Sequence, residues 1–339
     1  MHNTTILMAH GAGGRMSREL IRAVFAAHFA NPGLAPLSDA AVLPALPPGA
    51  LALTTDSYVV QPLFFPGGDI GKLAVCGTVN DLAVSGATPL YLSAGFILEE
   101  GLPLETLTCV VASMAETARA AGVQIVTGDT KVVERGAADQ LFINTAGVGV
   151  VPPGLTLGAA RLCAGDALLV NGTVGDHGLA LMLHRQEMAF QSDLESDCAP
   201  LNGLIAAALD AAPGQVHWMR DATRGGLATV LNEWVLDAPA LGIEIEEEAI
   251  PLRPAVRAGC EFLGLDPLYA ANEGKAVFAV AGEAASDVLA ALRAHPLGEN
   301  AALIGRVAAE HAGRVVLRTP YGSRRVLPML ASEPMPRIC

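Results

Sequence analysis

Residues 67–87 read GGDIGKLAVCGTVNDLAVSGA, and from Ile70 to Val84 this stretch predicts a helix built of small and apolar residues. The glycine and the proline that follow predict its end. One carboxylate, Asp81, lies within the apolar run, where a charge is costly to bury unless it is paired, hydrogen-bonded or bound to a metal ion. We therefore expect Asp81 to lie at the end of a core element and to have such a partner.

Strands and helices alternate on both sides of this helix, which predicts an α/β (α+β) fold. Around it we expect strands at 51–60, 124–127 and 141–151 and a helix at 104–121. After Pro152-Pro153-Gly154 a second series has predicted strands at 167–170, 242–246 and 276–281 and predicted helices at 203–212, 224–236 and 284–294. A length of 339 residues suggests about two domains. We expect them at 1–152 and 153–312, followed by a C-terminal segment at 313–339.

The composition excludes several classes of protein. Hydrophobic residues make up 52% and charged residues 16% of the chain, which excludes a wholly disordered protein. The net charge is −13 and basic residues form no cluster, so we expect no nucleic-acid partner. No stretch is typical of a signal peptide or of a membrane-spanning helix, so we expect no membrane association. The six cysteines form no CxxC pair, which favours a reduced, cytoplasmic protein.

Five acids beside apolar runs form the first set of candidate site residues. They are Asp56 in LTTDSYVV, Asp81 in GTVNDLAVSGA, Asp129 in IVTGDTKVV, Asp221 in MRDATRGG and Asp39 in SDAAVL. If several of them converge, they form the oxygen-rich site that Mg²⁺ prefers, together with phosphate oxygens. The alternative is that each acid caps a helix or a turn, and for any one acid taken alone this interpretation is favoured.

Glycine-rich loops and two charged residues form the second set. The loops HGAGG (10–14), GTVGDHG (172–178) and RGG (224–226) would let backbone amides approach a phosphate, but none matches a Walker or Rossmann motif, and tight turns explain them equally well. Lys131 follows Gly-Asp-Thr at a strand end, a good position to meet a phosphate. Glu273, in ANEGK, could act as a base if burial raises its pKa. A surface ion pair is the alternative for both residues.

The C-terminus forms a third candidate feature. Three prolines lie within the last twelve residues, and proline at this density disfavours a helix or a central strand. We expect a mobile tail that reaches about 40 Å when extended and that holds Cys339 outside the core. An exposed thiol is an oxidation liability, which favours a chemical role for Cys339 over an incidental one.

Taken together, these motifs resemble the HypE family of hydrogenase maturation proteins over essentially the whole chain. Besides residues 67–87, the resemblance is carried by HGAGG (10–14), GFILEEGLP (95–103), IVTGDTKVVERG (125–136), NTAGVGVVP (144–152), GTVGDHG (172–178), RDATRGG (220–226), ANEGK (271–275), HPLG (295–298) and PRIC (336–339). The terminal PRIC and the internal GDTKVV make it specific. The HypE family belongs to the PurM-like superfamily of ATP-binding proteins, which includes aminoimidazole ribonucleotide synthetase.

The resemblance implies a two-domain PurM-like fold whose N-terminal sheets form a β-barrel across a homodimer, with ATP and Mg²⁺ near the domain cleft. It implies an ATP-dependent carbamoyl dehydratase. A HypF-type partner places a carbamoyl group on the Cys339 thiol, dehydration gives an S-cyano cysteine, and a HypC–HypD complex accepts the cyano group for the iron of a [NiFe]-hydrogenase. Two alternatives stay open, namely a non-catalytic scaffold or carrier for metal-centre assembly and another ATP-dependent phosphotransferase of the superfamily.

The resemblance also implies roles for single residues. Cys339 carries the reacting group, Lys131 is the cation beside the transferred phosphate, and Glu273 is the base. The implied metal ligands are Asp39, Asp56, Asp81 and Asp221. The implied nucleotide-binding residues are Asp56, Thr78, Asn80, Asp81, Gly128, Asp129, Thr130 and Asp221. Superfamily members often carry paired aspartates where this chain has Ser38 and Asp39.

Overall fold

Two main β-sheets, formed by different halves of the chain, organise the molecule. The structure is a computed structural model and describes residues 4–185, 193–332 and 335–339. Its strands are β1 (Ala50–Tyr58), β2 (Phe64–Phe65), β3 (Gly68–Asp69), β4 (Thr88–Glu99), β5 (Gln124–Val133), β6 (Leu141–Val151), β7 (Ala167–Val170), β8 (Val216–Asp221), β9 (Gly242–Glu246), β10 (Ala276–Val280), β11 (Ala302–Ala308), β12 (Val315–Arg318) and β13 (Arg324–Val326). Its α-helices are α1 (Arg15–Leu20), α2 (Ala26–His28), α3 (Ile70–Val84), α4 (Leu104–Ala120), α5 (Asp176–Arg185), α6 (Asn202–Ala211), α7 (Gly226–Asp237), α8 (Pro254–Leu263) and α9 (Ala285–Ala294).

The first sheet has four strands in the order β1-β6-β4-β5. Helices α3 and α4 cover one of its faces, and α3 is buried on nearly all sides. Asp69 begins α3, because its carboxylate accepts hydrogen bonds from the backbone N–H groups of Gly71 at 2.7 Å and Lys72 at 3.2 Å. Gly71 lets α3 approach α4 closely, since a Cβ there would lie 2.4 Å from the Val110 carbonyl oxygen.

The second sheet has seven strands in the order β13-β12-β9-β11-β7-β10-β8, and only β9 and β12 pair in parallel. Helix α7 packs on one face, where Trp218 and Trp234 stack at 5.1 Å. Helices α6 and α9 pack on the other face, together with the end of α3. Helix α3 therefore contacts both sheets, and the cleft between the sheets lies at its C-terminal end.

The structure confirms most of the predicted elements. The predicted helix at 70–84 and the predicted strands at 141–151, 167–170 and 242–246 have the predicted bounds. Strand β5 is longer than predicted, and β4, β8, α8 and the strands after residue 300 were not predicted. Strands β12 and β13 fall in the predicted segment 313–339 but belong to the seven-stranded sheet. Within the described residues, the four-stranded sheet is open rather than a closed barrel, and no helix there is long and apolar enough to cross a bilayer.

Candidate active site

Three acids from three elements form an acidic group in the cleft between the sheets, namely Asp56 on β1, Asp81 near the end of α3 and Asp221 at the end of β8. Burial raises the pKa of Asp81, and the nearby Asp56 carboxylate adds to the rise. Burial and the Asp81 carboxylate raise the pKa of Asp221 to about 7. The carboxylates raise one another's pKa because their mutual repulsion is not neutralised by nearby positive charge. Such a group is suited to bind a cation that prefers oxygen ligands, such as Mg²⁺.

Glu273 lies beside this acidic group and is buried, with 3% of its surface exposed. Burial raises its pKa well above the usual range, and the neighbouring Cys198, Asp197 and Asp221 add to the effect. Its Oε1 atom has no hydrogen-bond partner among the described residues. The surface-ion-pair interpretation is therefore wrong for Glu273. A buried carboxyl oxygen without a partner is suited to receive a proton or to contact a bound group.

The backbone around Glu273 is held by a buried ion pair. Lys275 contacts Asp197 at 2.8 Å, and the other Asp197 carboxylate oxygen accepts a hydrogen bond from the Glu273 N–H at 3.0 Å. Gly274 lies so close to this segment that a Cβ would be 1.9 Å from the Asp197 carbonyl oxygen. Within the ANEGK motif, Gly274 is therefore needed for packing, Lys275 for the ion pair and Asn272 for buried hydrogen bonds to backbone groups. Glu273 differs from them, because its Oε1 atom has no partner among the described residues.

Asn80 and Thr78, two of the predicted nucleotide-binding residues, form hydrogen bonds with other residues of the protein core. Asn80 accepts a hydrogen bond from the Leu201 N–H at 2.7 Å and donates to the Ala199 carbonyl at 3.1 Å. Thr78 is fully buried, and its hydroxyl shares a hydrogen bond of 2.5 Å with that of Thr145. Both side chains join elements of the core, so each stabilises the site from behind rather than facing the cleft.

A second group, the β5 group of residues Gly128–Lys131, lies at the other edge of the first sheet. It lines a cavity of about 280 Å³ together with apolar and aromatic side chains that include Phe25 and Phe96. Lys131 pairs with Asp129 at 2.7 Å, and both side chains are mostly exposed, as in the surface-ion-pair interpretation. Asp39 is exposed on the loop whose neighbouring residues Ser38 and Ala40 line the same cavity.

Strand register keeps the β5 group and the acidic group apart within one chain. Asp56, Thr145, Ala94 and Gly128 form one row across the sheet, so Asp56 and Gly128 are about 14 Å apart at about 4.8 Å per strand. Side chains alternate between faces along a strand. Asp56 lies on the face of the sheet that packs on α3, whereas Lys131 lies on the opposite, open face. The structure therefore brings Asp56, Asp81, Asp221 and Glu273 together, but not with Lys131, Asp129 or Asp39.

The C-terminus is docked against the first core, which corrects the expectation that Cys339 lies outside the core. Its carbonyl accepts a hydrogen bond from the Val59 N–H at 3.1 Å, three residues along the chain from Asp56. Cys339 is half-buried against the first core, and Met335 and Ile338 are buried in it. Three residues give a distance of about 10 Å along a strand, so the backbone of Cys339 is anchored beside the end of β1, the strand that carries Asp56.

Side chains that sequence analysis missed hold this tail. His177 contacts the Ile338 carbonyl at 2.7 Å through Nε2, and Arg185 donates to the Pro336 carbonyl at 2.6 Å and to that of Arg337. His177 lies within the GTVGDHG motif, but the glycines of this motif predict only a loop and give no role to the histidine. Arg185 lies in no motif, and only the fold reveals its position.

The chain is similar to known proteins over its full length. Two family models match it, the N-terminal domain of AIR synthase related proteins at residues 37–151 and their C-terminal domain at residues 164–318. It is 57% identical to the carbamoyl dehydratase HypE of Escherichia coli (strain K12) over 338 residues, which cover 98% of this chain and 99% of that protein. A crystal structure of the hydrogenase maturation protein HypE in complex with ATP superposes with a TM-score of 0.93 at 51% identity, covering 99% of this chain and 100% of that one. A chain of a HypE–HypF complex superposes with a TM-score of 0.80 at 46% identity, covering 94% and 100%.

Proposed function

Because this chain belongs to the HypE family of carbamoyl dehydratases, we propose that it dehydrates a carbamoyl group carried on the thiol of its own Cys339. The product is an S-cyano cysteine, which supplies a cyanide ligand in hydrogenase maturation, and the reaction consumes ATP. One observation carries this function at the level of residues. The terminal cysteine lies docked against the first core, where its carbonyl accepts a hydrogen bond from the Val59 N–H just after the strand that carries Asp56. A scaffold that only presents Cys339 to a partner would not need such a position.

The chemistry explains why ATP is consumed. An amide oxygen is a poor leaving group, but transfer of the γ-phosphoryl group to it creates phosphate, which leaves readily. The carbamoyl nitrogen loses its two protons as the nitrile forms, and the sum is thiocarbamate plus ATP giving thiocyanate, ADP and phosphate. Phosphoryl transfer depends mainly on positioning and charge neutralisation. A half-buried position for Cys339 also limits access of water to the intermediate.

Glu273 is proposed as the base that takes a proton from the carbamoyl nitrogen. It is buried, and one of its oxygens has no hydrogen-bond partner among the described residues. To act as a base it must be ionised, which its raised pKa opposes at neutral pH. The Asp221 carboxylate is one of the groups that raise the pKa of Glu273. A cation bound to Asp221 would offset this effect and favour the ionised form of Glu273. We therefore expect Glu273 to be most effective when the acidic group has bound its cation.

The acidic group is proposed as the metal site, with Mg²⁺ held by Asp56, Asp81 and Asp221. When bound there, Mg²⁺ would neutralise phosphate charge during transfer. Thr54 orients one of these ligands, because it donates a hydrogen bond of 2.8 Å to Asp81. Asp39 lies on the exposed loop beside the β5 cavity, so we assign it to that side of the nucleotide rather than to these three acids.

A homodimer is proposed to complete the site. The open face of the first sheet exposes Leu51 and Leu53 of β1 by 64% and 73%, and Ile97 of β4 by 43%. Exposed apolar residues on one face of a sheet favour an interface, and Lys131 lies on this same face. A second copy covering it, with the two sheets closing into a barrel, would place the β5 group of one copy near the acidic group of the other. We propose that the nucleotide lies between these two groups.

Mixing two inactive variants tests the shared site. Lys131→Ala and Asp221→Asn should each lose dehydratase activity. After subunit exchange, half of the dimers are mixed, and each mixed dimer has one site with both native groups, so activity should return to about a quarter of the wild type. As a matched control, Glu273→Gln mixed with Asp221→Asn should stay inactive, because both residues lie in one cleft. Recovery by the control, or none by the first pair, would refute the arrangement.

Partners and location complete the proposal. A HypF-type carbamoyltransferase loads Cys339, as the likeness to a chain of a HypE–HypF complex supports. A HypC–HypD complex is the proposed acceptor of the cyano group. Loading and delivery both require the tail to leave the cleft, so tail mobility is part of the proposal. We also propose a cytoplasmic location and the domain bounds 1–152 and 153–312, with a segment 313–339 whose strands β12 and β13 complete the sheet of the second domain.

Mass spectrometry of the C-terminal peptide tests the function directly. After incubation with the carbamoylating partner, ATP and Mg²⁺, the carbamoyl adduct on Cys339 should lose one water. Cys339→Ala should fold normally and acquire no adduct. A carbamoyl adduct that persists with ATP and Mg²⁺ would favour the non-catalytic carrier. Phosphate transfer to an added small molecule would favour another phosphotransferase of the superfamily.

A further inference from the structure

Helix α5 holds the backbone of the C-terminal tail through two side chains. His177 lies in its first turn and Arg185 is the last residue of α5 that the structure describes, so they are about 12 Å apart along the helix. His177 contacts the Ile338 carbonyl at 2.7 Å, and Arg185 contacts the carbonyls of Pro336 and Arg337. These contacts satisfy three successive carbonyl groups of a segment that has no regular secondary structure.

Each of the two side chains is itself fixed by a second contact. The Nδ1 atom of His177 lies 2.8 Å from the Ser196 hydroxyl, and the ring meets that of Phe65 edge-on at 5.6 Å. The Nε atom of Arg185 donates to the Gln61 carbonyl at 2.5 Å. Gln61 in turn donates its N–H to the Arg337 carbonyl. The tail is therefore held between α5 and the chain that follows β1.

The tail side chains divide into anchors and a reactive end. Met335 and Ile338 are buried in the first core, and Arg337 pairs with Asp139 at 2.6 Å on the surface. Helix α5 carries Gly178 where the tail crosses it, since a Cβ there would lie 2.7 Å from the Met335 sulfur. Cys339 follows the last of these anchors, and its thiol is the reactive group of the tail.

We propose that His177 and Arg185 are positioning residues that clamp the tail in the reacting position and whose release exposes Cys339 for loading. The role in the reaction rests on the proposed function, but the clamp itself does not. Both residues bind main-chain carbonyls, so they act whatever group the sulfur carries. Loosening the clamp should therefore have opposite effects on the two half-reactions. It should speed loading by the partner, which needs the thiol outside, and slow dehydration, which needs it inside.

Thiol alkylation measures the clamp without any partner or nucleotide. Iodoacetamide should modify Cys339 about tenfold faster or more in Arg185→Ala and His177→Leu, because charge-assisted and buried hydrogen bonds are lost. His177→Gln should restore part of the protection, since its amide can still donate to the Ile338 carbonyl. The control is Arg306→Ala, which removes an exposed ion pair with Glu244 on the second sheet. Peptide mapping separates Cys339 from the exposed Cys109 and Cys163.

The buried cysteines report whether a variant has merely unfolded. Cys76, Cys198 and Cys260 are buried, so they should stay unmodified if only the tail is released. Alkylation of Cys339 within twofold of wild type in both Arg185→Ala and His177→Leu would overturn the clamp. So would a parallel rise at the three buried cysteines. Single-turnover dehydration of preloaded chains should fall at least tenfold in these variants while loading does not slow. If wild type shows no dehydration, the proposed function fails while the alkylation result still decides the clamp.

Discussion

Replacing Asp221 with asparagine should stabilise the metal-free protein while it abolishes dehydratase activity. Burial and the Asp81 carboxylate raise the pKa of Asp221 from 3.8 to about 7. An acid whose pKa is higher in the folded state favours folding below its unfolded pKa, and that contribution is lost as the pH rises through the folded pKa. Wild-type stability should therefore fall between about pH 4 and pH 7 through this residue, whereas Asp221→Asn should not share the fall.

The size of the effect follows from the rise in pKa. At about 1.36 kcal/mol per pH unit, a rise from 3.8 to about 7 corresponds to at most about 4 kcal/mol. The measured effect should be smaller than this limit. Asp221 keeps some contact with solvent, and Asp81 and Asp56 still repel each other when Asp221 is replaced. We expect the free energy of unfolding of Asp221→Asn to exceed that of wild type by about 1–3 kcal/mol near pH 8 and to be nearly the same as that of wild type near pH 4.

Urea unfolding in the presence of a chelator, repeated across this pH range, measures the difference. Asp210→Asn, at an exposed position on α6, is the matched control and should change stability by less than about 0.5 kcal/mol. Adding Mg²⁺ should stabilise wild type more than Asp221→Asn, because bound ligand favours the folded state. The reasoning is refuted if Asp221→Asn is no more stable than wild type near pH 8, or if its gain does not depend on pH.

Three further variants separate catalytic from supporting residues. Lys131→Ala should change the free energy of unfolding by less than about 1 kcal/mol, because its ion pair with Asp129 is exposed, yet the single-turnover rate of dehydration in preloaded chains should fall about 100-fold. Asn80→Ala should lower the unfolding free energy in urea by about 2–4 kcal/mol, since the Leu201 N–H and Ala199 carbonyl lose their buried partner; wild-type stability would contradict this. Asp69→Ala should cost about 1–2 kcal/mol in the same assay through loss of the α3 cap, and an unchanged midpoint would show that the cap contributes little.

Periodicity was enough to predict the elements with a single clear pattern. Helix α3 and strand β6 consist mostly of apolar or small residues between turn signals, and both were predicted with their observed bounds. Strand β4 was missed because TPLYLSAGFILE has a proline at its second position and contains small residues that are not typical of strands. Its pairing with both β5 and β6 decides its conformation, and that information is not local.

The site was only partly predictable for a related reason. The chemistry of Asp56, Asp81 and Asp221 could be anticipated, since acids within apolar runs need partners. The separation of Lys131 from them could not, because it depends on strand order and on which face each residue occupies. A shift of one residue in strand register would move Lys131 to the other face of the sheet. The contacts of Arg185 with the tail depend on tertiary structure alone.

The sign of a stability change can therefore distinguish the chemistry of this site from its support. Asp81, Asp221 and Glu273 all have raised pKa values, so in their charged forms they oppose folding. Asn80 and the Lys275–Asp197 pair are satisfied by internal partners and stabilise the fold. Neutral, isosteric replacement of an acid should raise stability while activity is lost, whereas truncation of a supporting residue should lower both. Such opposite signs are expected where a cleft keeps acids close together for a cation, because the surrounding hydrogen bonds must offset their repulsion.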